Sequence, residues 1–105
     1  MELESYTFVL LRRPPNAPEP PQEELDALQE RHLAYLDELR ARGALAVAGP
    51  FTDQPDEAWR GFCLYRVGLD EARALAEGDP AVQAGRLAVD VMTWLTRRGA
   101  VTFCD

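Results

Sequence analysis

Between Ser5 and Arg12 the side chains alternate as they do in a strand, yet neither set is polar. Tyr6, Phe8 and Leu10 fall on one side, and Thr7, Val9 and Leu11 on the other. A strand that is apolar on both faces needs cover on both. Helices of the same chain can supply one cover. In a chain of 105 residues the simplest source of the second is another subunit. The alternation ends at Pro14-Pro15-Asn16-Ala17-Pro18-Glu19-Pro20-Pro21. Proline fixes φ and removes a backbone donor, so this stretch predicts an extended connector, with a proline-recognition ligand as the alternative.

The period then changes to that of a helix. Leu25, Leu28, His32, Leu36 and Leu39 recur at spacings of three and four, and Leu33 and Tyr35 broaden the stripe. The spacing predicts a helix over 22–42. Pro20 and Pro21 suit its entrance, Glu23, Glu24 and Asp26 its positive end, and Gly43 a left-handed terminator after Arg40–Arg42. Leu45, Val47 and Ala48 predict a short second strand stopped by Gly49-Pro50. A polar loop follows over Thr52–Glu57.

A third strand runs over Trp59–Val67, with Phe62 and Leu64 opposing Cys63, Tyr65 and Val67. A second helix spans Asp70–Glu77, its apolar side made of Ala72, Leu75 and Ala76. Gly78-Asp79-Pro80 breaks it, and one more helical turn fits Ala81–Ala84 before Gly85. The last main strand runs over about 87–95, and a final short strand over Val101–Phe103. In that main strand Leu87, Val89, Val91 and Leu95 oppose Met92 and Trp94, so the need for cover on both faces returns.

The order β-α-β-β-α-β predicts an α+β fold over 1–105 as one domain. It is a split β-α-β arrangement, an antiparallel sheet with two helices on one face. Pairing of two such sheets into a homodimer would cover the other face.

Charge narrows the partners. The chain has 18 acidic and 11 basic residues, a formal charge of −7, which repels phosphate backbones and anionic lipid; nucleic acid and membrane are not expected partners. No apolar run reaches the roughly 20 residues of a membrane span, and the acidic start lacks a secretion signal, so the expected location is cytoplasmic. All 11 basic residues are Arg, which removes Schiff-base lysine chemistry, and the one serine, Ser5, offers little to a serine nucleophile. Cys63 sits in an apolar strand and reads as a buried structural thiol, whereas Cys104, one residue from the end of the sequence, reads as exposed. One histidine and two distant cysteines give no zinc spacing; a carboxylate-bound magnesium ion is the open alternative with no residue pointing to it, and the expectation is neither metal nor cofactor.

What remains is acid–base chemistry. His32 is the lone histidine and can exchange protons near neutrality, its unperturbed pKa being about 6.5. Read from the residues alone it is more often a core histidine than a catalyst, and Asp79 before proline more often a turn or capping residue. Gly49 and Pro50 would shape a pocket wall. Asp53 on the adjacent loop reads as a solvated loop residue with a second acid as the alternative, and Tyr35 as a phenolic donor or a helix–sheet packing residue. Trp59 and Trp94 suit an aromatic-accepting cavity or an interface, and Arg12 and Arg66 could attract an acidic substrate.

The ordered set His32-Leu33-Ala34-Tyr35-Leu36, Leu39, Gly43, Leu45, Ala48-Gly49-Pro50, Asp70–Ala76, Asp79–Gly85, Val89, Val91 and Trp94 resembles the YCII-related (YciI-like) family. Gln29 and Thr93 depart from that pattern, where an arginine and a proline are usual. The resemblance implies a ferredoxin-like fold assembled as a dimeric α+β barrel. It also implies a histidine–aspartate pair in a pocket, carried over onto His32 and Asp79, and, in some members, a role in breaking down chlorinated aromatics. The expected function is a small dimeric, cofactor-independent lyase or isomerase acting on a small organic molecule. The competing expectations are a non-catalytic metabolite-binding or protein-interaction domain, and a cofactorless oxygenase of the wider barrel group.

Overall fold

The computed structural model describes residues 1–103; Cys104, read above as exposed, lies outside the described residues. Strand β1 (Leu3–Arg12) is followed by helix α1 (Gln22–Ala41), β2 (Leu45–Pro50), β3 (Trp59–Tyr65), α2 (Leu69–Glu77), the single turn α3 (Pro80–Gln83) and β4 (Ala88–Arg97). The four strands form one antiparallel sheet in the order β2-β3-β1-β4, with the helices on one face. This is the ferredoxin-like α+β arrangement the sequence predicts. Both crossovers return to the strand after next, so β1 lies centrally between β3 and β4.

Register decides which residues meet. Val9 stands opposite both Cys63 and Val91, and Leu11 opposite Gly61 and Val89, so these share the face under the helices. There they join Leu39, Leu45, Tyr65, Ala72, Ala76, Ala81 and Leu87 in the core. Thr7 is the polar member of that face, and its hydroxyl donates to the Val67 carbonyl at 2.8 Å. The small residues Ala72 and Ala76 bring α2 close to the sheet.

Helix α1 ends as predicted. Gly43 has φ +78°, and the amides of Gly43 and Ala44 donate back to the carbonyls of Arg40 and Leu39. This double bond pattern satisfies the last carbonyls, and only the left-handed residue allows it. The burial stripe is narrower than predicted. Leu28, His32 and Leu39 are buried, whereas Leu33 is half exposed because it sits about 100° around the helix from His32.

Two other boundaries differ. Strand β2 continues through Gly49 and Pro50, which face Phe62 and Gly61. An edge strand tolerates a proline because one row of its backbone groups faces away from the sheet. Residues 101–103 form no strand. After Gly99 the chain brings Phe103 edge-on to Tyr6, 5.6 Å between ring centres, so its apolar character is used in aromatic packing and not in a ladder. Among the described residues, no helix is long and apolar enough to cross a membrane.

The second face of the sheet carries Tyr6, Phe8, Leu10, Phe62, Leu64, Met92 and Trp94. Phe8 stacks on Phe62 at 5.0 Å and Tyr6 packs at a tilt against Trp94 at 6.1 Å, yet Met92 and Trp94 remain 44% and 40% exposed.

Candidate functional site

The site begins with a helix break. Gly78 ends α2, Pro80 begins α3, and Asp79 between them adopts an extended conformation as the cap of α3. Its Oδ1 accepts from the Ala81 amide at 2.9 Å. Its Oδ2 is aimed at α1, where His32 Nδ1 lies 2.7 Å away. Both side chains are buried, His32 at 9% exposure and Asp79 at 3%. An ionised carboxylate only accepts, so Nδ1 carries the hydrogen and the lone pair is on Nε2. Asp79 therefore fixes ring orientation and tautomer together.

Its charge also reaches neighbouring groups. Burial, and secondarily Asp79, push the Cys63 thiol up to about 12, so it is protonated and inert, the structural thiol the sequence suggests. The Tyr35 phenol is likewise raised, by burial first and then by Asp79. It donates to the Leu75 carbonyl at 2.7 Å, bracing α1 against α2 beside the carboxylate.

His32 forms part of the wall of a cavity of about 310 Å³ between α1 and the end of the sheet. At about 30 Å³ per water this is room for roughly ten waters, or for one substituted ring. Leu11, Leu33, Leu36 and Leu87 supply the apolar wall, and Ala48, Gly49, Pro50 and Gly61 the backbone side. Gly61 is required there, since a β-carbon on it would run into the Gly49 carbonyl oxygen. The polar lining, apart from His32, is Arg13, Gln29 and Arg60. A larger, open hollow of about 560 Å³ lies at the end of α1 among Arg40, Arg42, Arg66 and Phe103. Among the described residues it is lined by neither histidine nor carboxylate.

Of the residues singled out from sequence, His32, Gly49 and Pro50 meet at the cavity, and Asp79 stands behind His32. Tyr35 is not among the lining residues, because its hydroxyl is engaged by Leu75. Asp53 occupies a left-handed turn (φ 59°) in the loop before β3 and does not line the cavity either. Arg12 pairs with Asp90 at 2.7 Å, and Arg66 lies 4.7 Å over the Phe103 ring. Neither lines the cavity.

Sequence reasoning overlooked Arg13 and Arg60. Arg13 has the parity of Leu11, so strand alternation alone assigns it to the helix side. Arg60 left no such signal. Leu11 pairs with Gly61 and Arg12 with Trp59, which makes Arg60 the extra residue of a β-bulge. Bulges re-aim side chains, and this one brings Arg60 to the cavity.

The model of the YCII-related domain matches residues 7–95. The chain belongs to the YCII-related family. It is 28% identical over 67 residues to the uncharacterized protein YjpA of Bacillus subtilis, covering 64% of this chain and 75% of the relative. Among solved structures it is similar to 5-chloro-2-hydroxyhydroquinone dehydrochlorinase (TftG) from Burkholderia phenoliruptrix AC1100, in complex with 2,5-dihydroxybenzoquinone. The TM-score is 0.59 at 26% identity, over 85% of this chain and 92% of that one. A fold similar to this one thus carries a dehydrochlorinase and holds 2,5-dihydroxybenzoquinone in that neighbour.

Proposed function

We propose that this YCII-related protein is a cofactor-independent acid–base enzyme, a lyase or isomerase acting on a small ring compound. The observation that carries the reading is the 2.7 Å bond from His32 Nδ1 to Asp79 at the wall of a cavity. Asp79 holds the ring, and Nε2 removes a proton from a hydroxyl or acidic carbon of the bound molecule. In an elimination, the electron pair released forms a new double bond while the leaving group departs with its own bonding pair. The imidazolium, stabilised by Asp79, then returns the proton to the departing group or to water. Isomerisation uses the same first step and returns the proton to a different carbon. The likeness to a dehydrochlorinase favours elimination.

The reading includes a homodimer joined through the second sheet face. Its support is the continuous apolar surface of Phe8, Leu10, Phe62, Met92 and Trp94, which the helices of one chain leave uncovered.

Chloride release from 5-chloro-2-hydroxyhydroquinone is the first assay. His32→Ala is expected to lower turnover by about a hundredfold or more, the usual worth of a general base. Asp79→Asn should give a loss of similar kind while leaving the helical circular dichroism in place. Undiminished turnover in His32→Ala would end the catalytic assignment. Independently of substrate, the NMR chemical shifts of the His32 ring nitrogens should differ between wild type and Asp79→Asn; identical shifts would count against the Nδ1–Asp79 contact.

A further inference from the structure

The formal charge of the chain is −7, yet among the described residues no carboxylate lines the His32 cavity, whereas two arginines do. Arg13 is held in place by its Nε, which donates to the Arg86 carbonyl at 3.0 Å. That bond leaves its terminal nitrogens outside any ion pair among the described residues. Arg60 donates from Nη1 to the Glu57 carbonyl at 3.2 Å and likewise has no carboxylate partner there.

The two guanidinium groups feel one another. Arg13 is destabilised as a cation by burial first, then by Arg86 and Arg60, with Glu19 as a weaker offset. Two like charges brought to one rim cost free energy in the empty protein. An anion placed between them relieves that repulsion. The remaining wall is apolar, and the Gln29 amide can both donate and accept.

We propose that Arg13 and Arg60 form an anion clamp that selects a small planar ring bearing a carboxylate or an ionised enol, presented to His32. The inference rests on the acid–base reading of the cavity and adds the charge of the substrate and the residues that recognise it. Guanidinium is suited to this task, because its planar fork matches a carboxylate or a paired enolate in two parallel bonds. Each anchor comes from a different strand end, so the anion is fixed at two points while the ring rests on Leu11, Leu36 and Leu87.

Two probes test it on the intact chain, benzoate for the carboxylate and 2,5-dihydroxybenzoquinone for the acidic enol, with benzamide as the neutral shape match for benzoate. Binding is followed by calorimetry and by the NMR signals of the His32 ring. At least one anion is expected to bind and move those signals, with benzamide at least about tenfold weaker than benzoate if benzoate is the one bound. Arg60→Gln, a change at an exposed position, and Arg13→Gln should each cost the bound anion about tenfold or more in affinity, and Arg13→Lys should restore part of it. Raised salt should weaken binding in wild type more than in the variants.

The clamp is overturned if neither anion binds, if benzamide matches benzoate, or if both glutamine variants keep wild-type affinity. His32→Ala separates the two readings. It should still bind the anion by calorimetry while losing turnover; intact anion binding with undiminished turnover in that variant would sink the acid–base assignment and leave the clamp standing.

Discussion

At the scale of single residues, Asp79 does two jobs that compete in most proteins. One oxygen caps a helical turn and the other holds an imidazole, so its position is set by backbone as much as by its partner. Its burial is tolerable because both oxygens are satisfied. Among the described residues Cys63 has no such partner, and it responds by keeping its proton. In the unfolded chain a thiol begins to ionise near its ordinary value of 9.0, whereas in the folded protein it does so only at about 12. Between those values the unfolded state binds fewer protons than the folded one, so stability falls as pH rises. Tyr65, also raised by burial, acts in the same sense. Urea midpoints measured from about pH 8.5 to 10 should therefore decline, and Cys63→Ala should make that decline shallower. Equal slopes in the two proteins would show that the buried thiol is not the source.

At the scale of elements, the cavity depends on an irregular strand end. The bulge at Arg60 turns a side chain that alternation would send to the other face. Next to it, Gly61 lets the Gly49 carbonyl and Pro50 close in over β3. Gly61→Ala must push β2 outward or strain β3. A destabilisation of about 1–3 kcal/mol is expected, the usual cost of overpacking, together with weaker binding in the cavity because Gly49 and Pro50 move with the strand. A denaturation midpoint equal to wild type would refute the close approach. Helix α1 and β1 were legible because their periods, 3.6 and 2, are strong and their ends carry Gly43 and a run of prolines. The extension of β2 into Pro50 was not, because whether proline is tolerated depends on whether the strand is an edge.

At the scale of the whole molecule, the sheet has one face under helices and one face of aromatic and aliphatic side chains. Leu64 and Phe8 are screened by neighbours in their own sheet, while Met92 and Trp94 stand proud of it. If a second copy covers this face, light scattering should give twice the chain mass at micromolar concentration. Met92→Arg combined with Trp94→Glu should then yield a folded monomer with unchanged far-ultraviolet circular dichroism. A wild-type monomer at that concentration would remove the dimer from the proposal. The net negative charge works against self-association at low salt, so assembly should strengthen modestly as salt is raised.

The order of strands and helices, the two apolar faces of β1 and β4, the end of α1 at Gly43 and the buried character of Cys63 were all determined by the sequence. Each follows from local spacing or from the chemistry of one side chain. Only the tertiary structure decided that His32 Nδ1 lies 2.7 Å from an aspartate 47 residues away, that Tyr35 serves a helix contact instead of the cavity, and that Arg13 and Arg60 line the same cavity as the histidine. The physical reason is that periodicity reports which face a residue occupies but carries no information about crossover placement, bulge position or the closeness of two strands. Those are fixed when the whole core packs at once.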